Sequence, residues 1–427
     1  MRILELSQLS EEQLAAILDR SKDEFRKVIP AVQEIMEDVR RQGDAALRKW
    51  TERLDQAVVG DPSVARQEFE AAYRQVDRSL LAALEQAIRN LETFHRTHLV
   101  DQPMVQIEEG IQVGRMIRPI EKVGFYVPGG RHIYPSSVLM NGVPARLAGC
   151  RERILCTPPA ADGTLPAPTL VAADMVGIHR VFKVGGAQAI AAMAYGTQTI
   201  PKVFKIFGAG NVYVTAAKLL AFGEVAIDMP AGPTEVVIIA DDTANPRFVA
   251  ADLLAQAEHG EHSACVLVTP SRRLAAAVSD EVDRQLARLE TREVAGKAIE
   301  RYGLALLAGD LEACVAFANR YAPEHLEVMT ADSRTLLGGI THTGSVFLGA
   351  YAPEPAGDYA SGTNHVLPTN RYARMFSALS VDAFVRQVQV QEISRSGLAR
   401  IRQAVTTLAG VEGFAAHQRA VEVRFEE

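Results

Sequence analysis

Positive charge and membrane-spanning segments are both scarce in this chain of 427 residues. Lysine and arginine number 45 against 52 aspartates and glutamates, and no basic patch stands out. Because phosphate binding depends on clustered positive charge, nucleic acid is not expected as the main partner. No uncharged stretch is long enough to span a bilayer, and residues 1–6 carry charge where a signal peptide would be apolar. These absences predict a cytoplasmic protein with neither a nucleic-acid nor a membrane partner.

Cysteine is scarce as well, and no CxxC spacing occurs. The four cysteines are Cys150, Cys156, Cys265 and Cys314, and three of them lie in apolar runs. Secreted proteins that depend on disulfides usually carry their cysteines in paired frameworks. The pattern therefore predicts reduced, mostly buried thiols in a reducing compartment.

Length and periodicity inform the architecture. A chain of 427 residues is too long for one compact core, so two or more domains are expected. Residues up to about His98 show helical periodicity, beginning with Ser10-Glu-Glu-Gln13, a capping box that opens an apolar stripe. Beyond them, short apolar strand candidates alternate with helical stretches, which is typical of βαβ units and a largely parallel sheet.

The alternation falls into two series, one from 154–156 to 236–240 and one from 265–268 to 345–348, after which the chain returns to helix at 397–408. We predict an α/β protein with two incomplete Rossmann-like parallel-sheet modules, a helical N-terminal extension and a small helical C-terminal domain. The predicted bounds are 1–20 for the extension, 21–126 with 235–379 for the first module, 127–234 for the second module and 380–427 for the tail.

Gln256 and His259 form the first candidate site. They lie three residues apart in the last turn of a predicted helix, so they share a face where the helix dipole favours a cation. Nitrogen and oxygen ligands of this kind suit a divalent metal. The alternative is a solvated helix end, because the run up to His262 is mostly polar. Glu258, Glu261 and His262 are competing ligands that the spacing does not exclude.

Glu324-His325 is the second candidate, a carboxylate and an imidazole at the entry to a predicted strand. Such loops often carry catalytic groups, and this pair offers a general base and a proton carrier. The alternative is an exposed polar pair without a role in catalysis.

Glycine-rich turns follow several strand candidates, for example at residues 185–186 and 208–211. Backbone N–H groups in such turns can hold a pyrophosphate, although tight strand-to-helix turns also explain them. None of them continues as G-x-G-x-x-G, so the standard dinucleotide fingerprint is missing. Asp358 lies in a long aperiodic stretch of the kind that is often functional, whereas a tail histidine such as His417 is usually incidental.

Taken together, these segments resemble histidinol dehydrogenases over essentially the whole chain. The resemblance rests on many runs in the same order, which makes it highly specific. The runs are 123–130 (VGFYVPGG), 134–141 (YPSSVLMN), 184–190 (VGGAQAI), 228–233 (DMPAGP), 251–260 (ADLLAQAEHG), 322–326 (APEHL), 357–369 (GDYASGTNHVLPT) and the tail around His417.

The resemblance implies a homodimeric enzyme that uses zinc and NAD to oxidise L-histidinol to L-histidine through histidinal. The first module would carry the metal and catalytic residues, the second would bind NAD, and the tail would complete the partner subunit's site. The residues implied are Gln256, His259, Asp358 and His417 for zinc; Glu324 as general base and His325 as proton-transfer partner; Tyr126, Gln188 and Asn211 for NAD; and Thr234, His365 and Glu412, together with the zinc ligands and His325, for substrate.

Three positions depart from the family pattern: Thr234 in place of serine, Ala209 in place of proline, and Arg131-His132 in place of small residues. Related dehydrogenases share this framework and oxidise other small alcohols, including a sulfonated propanediol. A zinc alcohol dehydrogenase of that kind is therefore one alternative. A zinc hydrolase that uses Glu324 and a metal-bound water without NAD is another.

Overall fold

A computed structural model describes residues 1–18, 24–98, 103–130, 132–230 and 232–426. These residues form two compact units. The first comprises Met1–His98 and Glu121–Phe384, and the second comprises Leu99–Ile120 and Val385–Glu427. Every helix among the described residues is too short or too polar to span a bilayer.

The β-strands are given in chain order. They are β1 (Arg2–Glu5), β2 (Val105–Glu108), β3 (Ile111–Pro119), β4 (Lys122–Tyr126), β5 (Glu152–Thr157), β6 (Arg180–Lys183), β7 (Lys205–Phe207), β8 (Ala226–Ile227), β9 (Glu235–Ala240), β10 (Ala264–Thr269), β11 (Gly303–Leu307), β12 (His325–Met329), β13 (Ser345–Leu348) and β14 (Val385–Ile393).

The α-helices follow the same order. They are α1 (Glu11–Leu18), α2 (Glu24–Gln42), α3 (Asp44–Asp55), α4 (Arg66–Tyr73), α5 (Arg78–His95), α6 (Pro135–Ala148), α7 (Ala167–Met175), α8 (Gly186–Tyr195), α9 (Val212–Ala221), α10 (Pro246–Ala257), α11 (Arg272–Leu286), α12 (Arg292–Tyr302), α13 (Leu311–Tyr321), α14 (Glu354–Tyr359), α15 (Arg395–Val411) and α16 (Ala415–Glu422). Short 3₁₀ turns occur at Leu6–Gln8, Arg96–His98, Ser333–Gly339, Tyr372–Arg374, Val381–Phe384 and Val423–Phe425.

The first unit contains two parallel sheets, which confirms the predicted α/β class. One sheet has six strands in the order β1-β11-β10-β9-β12-β13, and the other has five in the order β6-β5-β4-β7-β8. All residues of the central strands β9 and β10 are buried. Strands covered by helices on both faces read as unbroken apolar runs, which is why these two were recognisable from the sequence.

Helix ends follow the sequence signals closely in several places. Ser10 and Gln13 form the predicted capping box, with reciprocal backbone-to-side-chain hydrogen bonds of 2.9 and 3.2 Å. At the start of α10, the Asn245 side chain accepts a 3.0 Å hydrogen bond from the Arg247 amide, and Pro246 takes the first helical position. Within the stretch of helical periodicity, residues 28–47 belong to two helices, because Gly43 adopts a φ of 56° between α2 and α3.

The strand pairing differs from the predicted bounds at three places. β1 is an edge strand of the six-stranded sheet, where a helical extension was expected. β4 was assigned to the first module, yet it pairs with β5 and β7 of the other sheet. β14, expected to be helical, pairs antiparallel with β3 in the second unit. Each pairing joins segments far apart in sequence, which local periodicity does not report. The predicted boundary at residues 20 and 21 lies outside the described residues.

The second unit consists of a three-stranded antiparallel sheet in the order β14-β3-β2, followed by α15 and α16. A nine-residue register joins β14 to β3, from Val385 opposite Pro119 to Ile393 opposite Ile111. The alternation Val388-Gln-Val390-Gln is the period-two signal of such a strand.

A buried ion pair fixes the loops at the carboxyl ends of β7 and β8. The side chains of Lys218 and Asp228 are 3% and 2% exposed and contact each other directly. The Lys218 ammonium also donates to the carbonyl oxygens of Gly208 at 2.8 Å and Met229 at 3.0 Å, and Asp228 accepts from the Gly208 amide at 2.8 Å. All three ammonium protons thus have acceptors, so the pair meets the condition under which a buried charge is tolerated.

Replacing Lys218 by Met should therefore destabilise the fold strongly, because Asp228 would keep a buried charge without a cation. We expect a loss of about 3–5 kcal/mol in the free energy of unfolding, measured by urea denaturation. Lys202→Met is the matched control: Lys202 pairs with Glu224 at 2.8 Å, but both side chains are more than 40% exposed. Its loss should be about 0–1 kcal/mol. Similar losses for the two variants would contradict this account.

Candidate active site

A cavity of about 450 Å³ in the first unit collects most of the predicted site residues. Its wall from the five-stranded sheet consists of Tyr126 at the end of β4 and the loop after β7 that leads to Asn211. Its wall from the six-stranded sheet includes Thr234, Glu324 and His325, where β9 and β12 begin. The carboxyl ends of strands in the five-stranded sheet and the amino ends of strands in the six-stranded sheet therefore border the same cavity.

Four side chains form a ring of contacts at this cavity. The Thr234 hydroxyl donates a short hydrogen bond to Oε2 of Glu324. Gln256 Nε2 donates to Oγ1 of Thr234 at 2.9 Å, and Gln256 Oε1 lies 3.1 Å from Nδ1 of His325. The neighbouring residues Glu324 and His325 close the ring, with 3.8 Å between Oε2 and Nδ1. The ring ties the starts of β9 and β12 to the end of α10.

The acceptors around His325 settle its tautomer. Nδ1 faces two oxygens, Gln256 Oε1 at 3.1 Å and the Glu235 carbonyl at 3.2 Å, so Nδ1 carries the proton and donates. Burial, only partly opposed by the Asp358 charge, lowers the pKa of His325 to about 4. The imidazole of His325 is therefore neutral near pH 7. Its Nε2 lies 3.8 Å from Oδ1 of Asp358 and has no hydrogen-bond partner among the described residues. Nε2 is thus a buried proton acceptor.

Glu324 differs from His325 in the direction of its pKa shift. Its Oε2 accepts from Thr234 and from the Glu235 amide at 3.1 Å, which leaves Oε1 without a protein donor among the described residues. Burial raises the pKa of Glu324 well above 4.5, with the Glu235 and Asp358 charges adding to the rise and the Thr234 hydrogen bond opposing it. A carboxyl group whose pKa moves toward neutrality is suited to general base catalysis. Both Glu324 and His325 are buried, so the alternative of an exposed polar pair is wrong.

His259, Glu354 and Asp358 bring one ligand atom each within 4.8 Å of one another. His259 Nδ1 lies 3.1 Å from the Ala255 carbonyl, which leaves Nε2 facing Asp358 Oδ2 at 3.7 Å. Burial works against the charged imidazole, but Asp358 and Glu354 together raise the pKa of His259 to about 9. One nitrogen and two carboxylate oxygens directed into one space fit a divalent metal ion, which would displace the proton of His259.

Two of the three competing ligands at the end of α10 are engaged elsewhere. Glu258 accepts a 2.8 Å hydrogen bond from Thr291, and Glu261 pairs with Lys297 at 2.7 Å. Gln256 is fully buried and so does not belong to a solvated helix end, whereas Glu258, His259 and His262 are exposed. The amide of Gln256 contacts Thr234 and His325 within the ring.

Two of the three predicted NAD contacts line the cavity. Tyr126 is buried, and its hydroxyl accepts a 3.2 Å hydrogen bond from the Gly186 amide at the start of α8; burial raises its pKa to about 12. Asn211 caps α9, where Oδ1 accepts from the amides of Tyr213 and Val214. Gln188 is fully buried instead, and its Nε2 donates to Asp55 Oδ2 at 3.3 Å.

The predicted substrate contacts divide between the two units. Thr234 and His365 border the cavity, where His365 lies 3.1 Å from the Ser137 hydroxyl and 2.9 Å from the Asp358 carbonyl. Glu412 and His417 belong to the second unit, where they lie exposed at the end of α15 and on α16. Of the departures from the family pattern, Ala209 lines the cavity, whereas Arg131 lies outside the described residues.

Sequence reasoning missed Glu354, Glu235 and the Lys218–Asp228 pair. Glu354 and Asp358 occupy positions i and i+4 of α14, a helix within the stretch that we expected to be aperiodic. Glu354-Pro355, an acidic residue and a proline in the first turn, is a signal for a helix start, and it would have placed both carboxylates on one face.

The comparisons with known proteins agree along the whole chain. The family model described as histidinol dehydrogenase matches residues 18–425. A histidinol dehydrogenase from Methanocaldococcus jannaschii is 46% identical over 427 residues, covering 100% of this chain and 99% of that protein. One from Bacteroides fragilis is 48% identical over 412 residues and covers 96% of each. A crystal structure of histidinol dehydrogenase from Elizabethkingia anophelis superposes with a TM-score of 0.96 at 41% identity, covering 99% of this chain and 98% of that one.

The two parallel sheets and these matches define an α/β oxidoreductase. The chain belongs to the histidinol dehydrogenase family.

Proposed function

We propose that this chain oxidises L-histidinol to L-histidine through histidinal in two NAD-dependent steps, with a zinc ion in the site. The observation that carries the proposal is the ring of Glu324, Thr234, Gln256 and His325 beside His259 and Asp358, in a chain that belongs to this family. The ring provides a base and a neutral histidine at one end of a cavity that is large enough for a small amino alcohol.

Zinc would be held by Gln256, His259 and Asp358 together with His417. When bound, zinc supplies a positive charge that orients the substrate's nitrogen atoms, and NAD supplies the hydride acceptor. The exposed His417 comes from the second unit, and Tyr126, Gln188 and Asn211 are the proposed NAD contacts. The amino ends of α8 and α9 carry the partial positive charge of the helix dipole, which favours a pyrophosphate.

The chain's own residues would handle the protons. In the first oxidation the substrate hydroxyl loses its proton to His325 Nε2 or Glu324 Oε1 as the hydride leaves the carbon. Histidinal then adds a water molecule, which Glu324 deprotonates. That proton transfer leaves the diol as its monoanion, which loses a second hydride to give the carboxylic acid. The acid then releases a further proton and becomes the carboxylate. A buried pair that moves protons in both steps would let one site complete the reaction without releasing the aldehyde.

The first test is stoichiometry. Purified protein with zinc, NAD and L-histidinol should form two NADH for each histidinol consumed, because the same base serves oxidation and hydration. NADH absorbance and product analysis by mass spectrometry measure both quantities. Stoichiometric free histidinal after one NADH would contradict the two-step account. NADH formed only with another alcohol would favour a related dehydrogenase, and hydrolysis without NAD would favour the hydrolase.

Glu324→Gln tests the base. The amide keeps the shape but cannot take a proton, so kcat should fall about 10²- to 10⁴-fold while bound zinc, measured by atomic emission, stays unchanged. In the unaltered protein the carboxylate is the active form and its pKa is raised, so kcat/KM should rise with pH through a pKa well above 4.5. His325, with a pKa of about 4, stays neutral over that pH range, so its ionisation adds no second transition to the pH profile.

The exposed Glu312 on α13 provides the matched control, since Glu312→Gln makes the same chemical change away from the cavity. It should leave kcat and the pH profile unchanged. Loss of zinc from Glu324→Gln, or an unaltered pH profile, would show that Glu324 is not the base.

We also propose a homodimer in the cytoplasm in which the tail of each subunit completes the partner's site. His417 and Glu412 are exposed, and so are the apolar side chains of Leu408, Val411 and Phe414 beside them. An exposed apolar surface beside exposed polar side chains is typical of a protein–protein interface.

Complementation tests the exchange of tails. His417→Ala and Glu324→Gln proteins should each be inactive, but subunit exchange should place one intact base and one intact tail in the same site. Random exchange gives a heterodimer in about half of the dimers, with one working site in two, so roughly a quarter of normal activity is expected. No recovery after exchange is verified by mass spectrometry would mean that each chain completes its own site.

A further inference from the structure

The half-buried carboxylate of Asp55 has no role in the proposed mechanism. Asp55 is the last residue of α3, and its Oδ2 accepts a 3.3 Å hydrogen bond from Nε2 of Gln188. Among the described residues, Oδ1 accepts no hydrogen bond, and no lysine or arginine pairs with either oxygen. Burial raises the pKa of Asp55 to about 6, so the group is ionised near pH 8. A carboxylate with an unused oxygen can accept hydrogen bonds from a ligand.

The five-stranded sheet has the strand order of a dinucleotide-binding module. From β4 the chain adds β5 and β6 on one side and then β7 and β8 on the other. Ligands of such sheets lie beyond the carboxyl ends of the strands, where the order reverses. An acid near the end of the second strand usually accepts from the ribose hydroxyls of the adenosine half. Here the second strand is β5, and Pro158 and Pro159 follow it directly, so the sheet itself supplies no acid at that place.

Asp55 occupies this place from outside the sheet. Its Oδ1 lies 3.1 Å from the position that a Cβ atom would occupy at Gly185, and Cβ of Pro158 lies 2.5 Å from the same position. Gly185 has a φ of -103°, which any residue adopts, so the lack of space and not the backbone conformation favours glycine here. Because Gly185 has no side chain, the carboxylate of Asp55 approaches the turn between β6 and α8 directly. The three residues therefore lie together at the carboxyl ends of β5 and β6.

The neighbouring Gln188 provides an independent observation. Its side chain is fully buried, and its Oε1 has no hydrogen-bond partner among the described residues. Oε1 lies 2.7 Å from the Cβ position of Gly186, so it faces the same turn as Asp55. Since Gln188 is one of the proposed NAD contacts, its hydrogen bond to Asp55 places the carboxylate beside a residue already assigned to the cofactor.

The position of Asp55 indicates which half of the cofactor it faces. Glu324 and His325 share a cavity with Tyr126 at the end of β4 and with the loop after β7. The nicotinamide must reach this cavity, because its ring receives the hydride. Asp55 lies on the other side of β4, at β5 and β6. A dinucleotide that extends along this edge of the sheet would therefore bring its adenosine half to Asp55.

We propose that Asp55 accepts hydrogen bonds from the vicinal hydroxyls of the adenosine ribose and makes the site selective for NAD over NADP. This inference rests on the NAD part of the proposed function and adds the residue that recognises the ribose. The hydroxyls of NAD donate to the carboxylate, whereas the 2′-phosphate of NADP brings negative charge against it. The end of a helix thus supplies the acid that the second strand supplies in other dinucleotide-binding sheets.

Direct binding tests this selectivity without turnover. Fluorescence titration of zinc-loaded, full-length protein near pH 8 gives the dissociation constants of NADH and NADPH. The unaltered protein should bind NADH more tightly. Asp55→Asn keeps the shape but removes the charge, so NADH binding should weaken about tenfold or more, the loss expected for a hydrogen bond to a charged group. NADPH binding should weaken less or improve, so the preference for NADH should fall at least about tenfold.

Asp280→Asn is the matched control, because it makes the same change at an exposed position of α11. It should leave both dissociation constants unchanged. An equal loss of affinity for NADH and NADPH in Asp55→Asn would mean that Asp55 only supports the local structure, and it would overturn the inference. If circular dichroism shows that Asp55→Asn does not fold, the smaller neutral side chain of Asp55→Ser is tested by the same ratio of dissociation constants.

The result is distinct from the test of the proposed function. Oxidation of histidinol with NAD, together with an unchanged preference in Asp55→Asn, would overturn this inference alone. A preference for NADH that depends on Asp55, in a protein that does not oxidise histidinol, would refute the substrate and leave the inference standing. Equal affinity of the unaltered protein for NADH and NADPH would overturn the inference, and failure to bind either would also overturn the NAD part of the proposed function.

Discussion

The closed ring of Glu324, Thr234, Gln256 and His325 is the interaction on which the site depends. Each contact determines the next one. Gln256 Nε2 donates to the Thr234 hydroxyl, which therefore donates to Glu324, and Gln256 Oε1 accepts from His325, which therefore carries its proton on Nδ1. The tautomer of the histidine and the free oxygen of the glutamate both follow from that order. A partly satisfied buried network would cost more than an apolar core, so the ring holds as a unit.

The ring occupies an unusual place in an α/β protein. Ligands of open parallel sheets usually bind beyond the carboxyl ends of the strands. The five-stranded sheet follows this rule, with Tyr126 and the loop before Asn211 at its carboxyl edge. The six-stranded sheet contributes the amino ends of β9 and β12 instead. With this arrangement one edge is available for a dinucleotide, while acids and histidines from the other edge face the same cavity.

The site was predictable where residue type and local spacing carry the information. Gln256 with His259, and Glu324 with His325, stand out as short polar runs beside apolar strands, and the resemblance supplied the remaining residues. Glu354 was missed because the stretch that contains Asp358 was interpreted as aperiodic, and the approach of its side chain to His259 depends on the tertiary structure. Gln188 is a different case, since the resemblance implies a cofactor contact, and no local pattern indicates that the fold buries its side chain against Asp55.

By itself, the sequence determined the elements and the class: the buried runs of β9 and β10, the caps of α1 and α10, and the alternation that makes parallel sheets. These depend on contacts within a few residues, which periodicity records. Only the tertiary structure decided that β1 pairs with the distant β11 at the edge of a sheet and that β3 pairs with β14. It also decided that burial raises the pKa of Glu324 and lowers that of His325. Pairing partners and pKa values depend on burial and on groups brought together from distant segments, and no local pattern encodes them.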